Sequence, residues 1–169
     1  FMAGLALGSL YLGRLADRTD RPLLVFAIME AGIAFFGLLF PLIVASLKPI
    51  YPTFYGAFGQ NHYVMSLLRF IVSFAILIVP TSLMGGTLPV LTRAYVSHAR
   101  RLGQEVAALY SANNLGAFLG CVLTGYAFVE LLGLRGTLML AVSLNLIVAL
   151  LALWAERLSR SGPGPARAG

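Results

Sequence analysis

Acidic side chains are nearly missing from this sequence, with six Asp and Glu against twelve Lys and Arg in 169 residues. Charged residues of both signs together make up only 11% of the chain. A soluble domain stays dissolved by presenting charged outer faces, and long parts of this chain offer none. Cysteine is limited to Cys121, which excludes an internal disulfide framework and any multi-cysteine metal site. The local patterns of covalent chemistry are missing too. No G-x-S-x-G, H-E-x-x-H, Walker loop or G-x-G-x-x-G occurs, and His62 and His98 are expected on opposite sides of a membrane. No residue is therefore assigned a catalytic, cofactor-binding or metal-binding role, and no cofactor is implied.

What the chain does have is apolar length. It is 59% hydrophobic, with a mean hydropathy of +0.88, and it contains runs longer than the ~18 apolar residues that mark a spanning helix. The net charge of +6 raises the question of nucleic acid. The basic residues, however, sit in short clusters between apolar runs, as in cytoplasmic membrane loops and not on a nucleic-acid-binding face. The expected partner is a lipid bilayer, with no nucleic acid.

The pattern predicts an all-α, polytopic transmembrane helix bundle. A helical domain over residues 1–157 carries a partial span at about 1–13 and full spans at about 23–47, 64–92, 106–129 and 134–155. The first piece, "FMAGLALGSLYL", is too short to cross a core of ~30 Å, and the chain opens at Phe1 in mid-pattern, so an upstream part of the helix is expected. Charged turns occupy Gly13 to Pro22 and Arg93 to Glu105, and "ELLG", Glu130 to Gly133, makes a very short turn. The proline- and aromatic-rich stretch Lys48 to Tyr63 suits an interfacial loop. Residues 158–169 are Gly/Pro/Ser-rich and read as a flexible tail or linker.

Placement of Lys and Arg sets the orientation. One side collects Arg14, Arg18, Arg21, Arg93, Arg100, Arg101, Arg157, Arg160 and Arg167; the other has Lys48 and Arg135, with Arg69 just inside a span. The bias places the first set, and the C-terminus, in the cytoplasm.

Several residues inside the spans are candidates for function. Glu30 lies about eight residues into its span, ~12 Å deep at 1.5 Å per residue. A carboxylate at that depth is protonated, paired or facing a wet cavity, which makes Glu30 a candidate substrate or proton site, with a structural hydrogen bond as the alternative. Arg69 is ~15 Å away along the axis and is expected to snorkel outward. Asn113 and Asn145 are further candidates, for lining a cavity or for bonding a neighbouring helix. Gly4 and Gly8, and the stripe of Ala112, Gly116, Gly120 and Thr124, have the four-residue spacing that lets helices approach closely in lipid. The run "VPTSLMGGTLPVLTRA" holds Pro80, Gly85, Gly86 and Pro89, which weaken a helix by removed donors and by ~1 kcal/mol per glycine. It is either a kink fitted against neighbouring helices or a hinge that lines a cavity.

The turn "GRLADRTDRP" resembles the motif that major facilitator transporters carry between their second and third helices. Gly13, Leu15, Ala16, Asp17, Arg18 and Arg21 match, whereas Asp20 and Pro22 depart from it. The resemblance implies a conformational role for Gly13, Asp17, Arg18 and Arg21, and Asp20 offers the arginines a competing local partner. A closer likeness, carried by "FMAGLALGSLYLGRLADR", "LMGGTLPVLTRA", "LYSANNLGAFLGCVLTGY" and "LLGLRGTLMLAVSLNLIVALLAL", is to bacterial fused major facilitator/spermidine synthase-like membrane proteins. It implies helices two to six of a six-helix, major-facilitator-like half unit lacking its first helix, in the bacterial inner membrane. The partner so implied is a C-terminal, cytoplasmic spermidine synthase-like aminopropyltransferase domain. The parent protein would then carry the transferase, with the helical unit as anchor or transport-like module. The alternatives are the N-terminal half of a secondary transporter for a small, cationic solute, joined to a second helical half, and a non-catalytic scaffold.

Overall fold

The computed structural model describes residues 1–49, 52, 56, 61–95 and 102–161, and all of its regular structure is helical. Helix α1 spans Met2–Asp17, α2 Pro22–Leu47, α3 His62–Tyr95, α4 Leu102–Leu123 and α5 Val129–Ser161. A π-helical segment, Thr124–Phe128, joins α4 to α5. Most of the 48–63 connection, together with His98, Arg100 and Arg101, lies outside the described residues.

Local chemistry sets several boundaries. Pro22 occupies the first turn of α2, where its missing N–H costs nothing. In the turn before it, the Thr19 hydroxyl accepts the Arg21 N–H at 3.3 Å. Asn61 begins α3, its Oδ1 accepting the N–H groups of Tyr63 at 3.1 Å and Val64 at 3.4 Å. Helix α3 runs unbroken through Pro80 and Pro89. The Thr81 hydroxyl donates to the Leu77 carbonyl at 2.6 Å, and Thr87 donates to Met84 at 2.7 Å. Helix α5 continues through Ser161, so the start of the expected 158–169 tail is helical, and 162–169 lie outside the described residues.

The contacts give the helices their directions. Gly4 meets Thr81, Gly85 meets Leu5, Gly86 meets Leu12, and Gly13 meets Pro89, so the residue numbers of α1 and α3 rise together and the two helices run parallel. Gly32 against Leu83 and Gly86 against Met29 set α2 antiparallel to α3. The Gly37 backbone meets Val142 and Leu138, while Val44 to Lys48 share a groove with Leu134 and Arg135, which sets α5 antiparallel to α2. The layers thus run α1, α3, α2, α5. Helix α4 touches α3 slightly and has no extensive contact with α1, α2 or α5.

This order sorts charge by end. Arg14, Arg18 and Arg21 flank the α1–α2 turn, Arg93 closes α3, and Arg157 and Arg160 close α5, all at one end. Lys48 and Arg135 lie at the other. The core of Ala16, Phe26, Ala27, Met29, Val90 and Ala152 sits toward the basic end.

Elsewhere large apolar side chains point outward, with Phe35 63%, Phe70 65% and Leu150 65% exposed. Water would not tolerate such a surface over whole helices. Among the described residues, Pro22–Leu47, His62–Tyr95 and the 58-residue stretch Gly103–Arg160 are long and apolar enough to cross a membrane. Unbroken, the last would measure ~87 Å, nearly three times a hydrocarbon core of ~30 Å. It is broken at Gly133, whose φ of 68° and ψ of 175° are non-helical, inside the turn expected at "ELLG".

Candidate functional site

The residues singled out in the α1–α2 turn and in the proline-containing part of α3 come together. Gly13 stands so close to α3 that a Cβ there would lie 3.5 Å from the Pro89 Cβ. One turn further along α1 is Asp17, and one turn further along α3 is Arg93. Two adjoining clefts of about 510 Å³ and 540 Å³ share Ser9, Asp17 and Pro89. The first also takes in Gly85, Thr92 and Arg93; the second takes in Gly13 and Arg14.

Pro89 has no N–H, so the Gly85 carbonyl four residues earlier loses its helical donor. That carbonyl belongs to a residue lining the first cleft. Carboxylate, hydroxyls, carbonyl and guanidinium thus gather at the basic end of an otherwise apolar helix pair. Such a set can bind a polar group or exchange partners when the helices shift. Among the described residues, no group of three His, Cys, Asp or Glu converges on a metal position.

Arg18 and Arg21, named with Gly13 and Asp17 at the sequence level, are exposed and do not line either cleft. Pro80 lies more than two turns from Pro89 and outside the clefts. Gly85 and Gly86 face different neighbours. A Cβ on Gly85 would run into the Leu5 backbone, whereas one on Gly86 would meet Leu12 and Met29 side chains at 2.6 Å. Sequence reasoning missed Ser9 and Thr92, because a lone hydroxyl on an apolar helix carries no signal until its neighbour is known.

Glu30 and Asn145 approach a second region, the α2–α5 seam. Glu30 is half-buried and lies seven residues before Gly37, on the same face of α2 that meets Val142. Asn145 is half-buried on α5 between the buried Val142 and Ala149. Asn113 is exposed on α4 and joins neither residue.

The four packing glycines divide as well. At Gly4 a Cβ would collide with Thr81, and at Gly8 with the Ser82 backbone. Around Gly116 and Gly120 nothing lies within 4 Å of such a Cβ, so the expected packing of that stripe is not formed among the described residues.

No family model matches the chain, and no curated protein or solved structure matches it.

Proposed function

We propose that this chain is a multi-pass membrane unit whose basic end faces the cytoplasm, serving as anchor or transport-like module of a larger protein. The observation that carries the proposal is the charge sorting. Helix directions fixed by Gly13–Pro89, Gly32–Leu83 and Gly37–Val142 bring six arginines to one end and leave Lys48, Arg135 and, early in α3, Arg69 in the other half. Positive residues near span ends are retained on the cytoplasmic side.

Single-cysteine labelling tests this orientation. In a Cys121→Ser background, a membrane-impermeant maleimide should label Tyr63→Cys in intact cells and Thr19→Cys only after permeabilisation. The reverse pattern overturns the orientation, and equal labelling of both overturns insertion.

The finer reading is a major-facilitator-like half unit of the fused spermidine synthase-like type, carried in the bacterial inner membrane and joined to a cytoplasmic aminopropyltransferase-like domain. It is supported by the meeting of two of the four motif pieces, "FMAGLALGSLYLGRLADR" and "LMGGTLPVLTRA", along two adjoining clefts. Reading the gene beyond the Gly169 codon tests it, since a stop codon shortly afterwards removes the fused domain.

A second reading, half of a secondary transporter, is favoured by Glu30 on the α2–α5 seam. A carboxylate within a span is a default coupling or substrate group. If Glu30 handles a proton or a cationic solute, Glu30→Gln reduces polyamine or proton-coupled uptake by about tenfold or more, the loss of roughly one charged contact. Membrane levels of the protein stay the same. Unchanged uptake removes Glu30 from any transport step.

A further inference from the structure

A groove larger than the two α1–α3 clefts lies at the end of the α2–α5 seam opposite the arginine cluster, beyond Glu30 and Asn145. It has a volume of about 780 Å³ and runs between the C-terminal third of α2 and the first turns of α5. Its walls are apolar, built from Phe40, Pro41, Leu138, Ala141 and their neighbours. Two cations, Lys48 and Arg135, line it, and among the described residues no carboxylate does. Glu130, the acid nearest Arg135 in sequence, is exposed and outside the lining.

Two features of the backbone shape the groove. The π-helical segment Thr124–Phe128 contributes Thr124 to the wall, and such bulges often mark functional positions in α-helices. Gly133, at φ 68°, then redirects the chain so that Leu134 and Arg135 come beside the last turn of α2. The Thr137 hydroxyl donates to the Gly133 carbonyl at 2.8 Å and fixes that corner.

We infer that this groove binds an anionic phospholipid, its phosphate between Lys48 and Arg135 and one acyl chain lying along the apolar wall. The inference rests on the membrane placement proposed above. Dimensions agree with it. From Lys48 down to Phe40 is eight residues of helix, ~12 Å, against ~15 Å for one leaflet of a ~30 Å core. The charge also fits. A groove with two cations and no acid discriminates by headgroup charge, because a zwitterionic lipid brings its own cation to the same place. Basic pockets between spanning helices recognise acidic headgroups in this way. Lipid at an apolar surface is unselective, so the selectivity for charge separates this groove from the rest of the exposed helix faces.

Native mass spectrometry of the full chain, released from micelles containing equal phosphatidylglycerol and phosphatidylcholine, measures the preference. Wild type should retain phosphatidylglycerol about thirty-fold over phosphatidylcholine, the factor expected when two surface cations meet a headgroup of net negative charge and not a zwitterionic one. Lys48→Gln with Arg135→Gln should bring the ratio to about one. Ala141→Trp fills the apolar wall, keeps both cations, and should abolish retention of the acidic lipid. Arg160→Gln, at the far end, should leave the ratio unchanged.

Equal retention of the two lipids by wild type, or an undiminished ratio in the double variant, overturns the site. Retention of glycerol 3-phosphate equal to that of phosphatidylglycerol also overturns it, because the acyl chain would then play no part. Alkaline carbonate extraction of the same cells separates this failure from the failure of membrane placement. Chain found in the supernatant refutes the placement; chain held in the membrane without lipid preference refutes the groove alone.

Discussion

Gly8→Ala and Gly85→Ala are each expected to loosen α1 from α3, although alanine is the better helix former at both positions. Replacing a helical glycine by alanine gains ~1 kcal/mol of propensity. Against that gain stands the crossing. The added methyl on Gly8 would enter the Ser82 backbone, and that on Gly85 would enter the Leu5 backbone. Backbone cannot rotate aside as a side chain can, so the helices must separate. Overpacking of this kind costs about 1–3 kcal/mol, and more when the neighbour is rigid.

In lipid, close packing is the main force holding two helices together, so separation forfeits contact along the whole crossing. The net effect is a loss of up to roughly 2 kcal/mol at each site once the propensity gain is subtracted. The double variant should fall short of the sum, because α1 that has already moved no longer meets the second methyl. Gly8→Leu should exceed either alanine. Gly116→Ala supplies the opposite sign, since nothing lies near that position and only the gain of ~1 kcal/mol remains. Unfolding of the purified chain in mixed micelles measures all of these. Stabilisation by Gly85→Ala would refute the tight crossing, and destabilisation by Gly116→Ala would show that a partner covers α4.

This contrast also shows where the sequence is legible. The spans at 23–47 and 64–92 were readable because composition and length alone decide them, and α2 and α3 cover both. Gly4 and Gly116 share the same four-residue spacing, yet only the first has a neighbour. Spacing states that a helix face is small, not that another helix lies against it. The proline run could be read as weakened helix but not as unbroken helix, because Gly85 and Gly86 are held by Leu5, Leu12 and Met29, residues between 57 and 80 positions distant. The cleft was half legible. Gly13 and Asp17 stand in a motif, and Gly85 and Pro89 stand in another, but nothing local predicts that parallel packing of α1 on α3 makes them neighbours. Asn61 as the cap of α3 was missed because a long apolar run drew the expected start to Val64. The short turn at Gly133 was legible because a glycine closes four residues that interrupt two long runs.

Gly133→Ala is expected to change the relation of α4 to α5, and the surroundings decide how far. The observed φ of 68° and ψ of 175° fall in a region that is essentially restricted to glycine. Holding alanine there costs about 1–3 kcal/mol, and straightening into helix gains a further ~1 kcal/mol. Together these favour an unbroken helix by roughly 30- to 1,000-fold. A bilayer opposes the change. An unbroken Gly103–Arg160 helix would push one of its apolar halves out of the hydrocarbon core. Losing the Leu, Val and Phe side chains of 106–129 from the core forfeits roughly 3–5 kcal/mol, enough to hold the turn in lipid. In micelles no fixed thickness applies, and the helix should straighten. Spin labels on Tyr110→Cys and Leu150→Cys in the Cys121→Ser background report the difference. With Gly133→Ala their separation should rise toward ~60 Å in micelles, the length of forty residues of continuous helix, and should stay near the unsubstituted value in bilayers. Gly125→Ala, a neighbouring glycine with nothing around it, should shift neither distance. A separation unaffected by Gly133→Ala in micelles would mean that packing around the turn, and not the glycine backbone, holds the two helices apart.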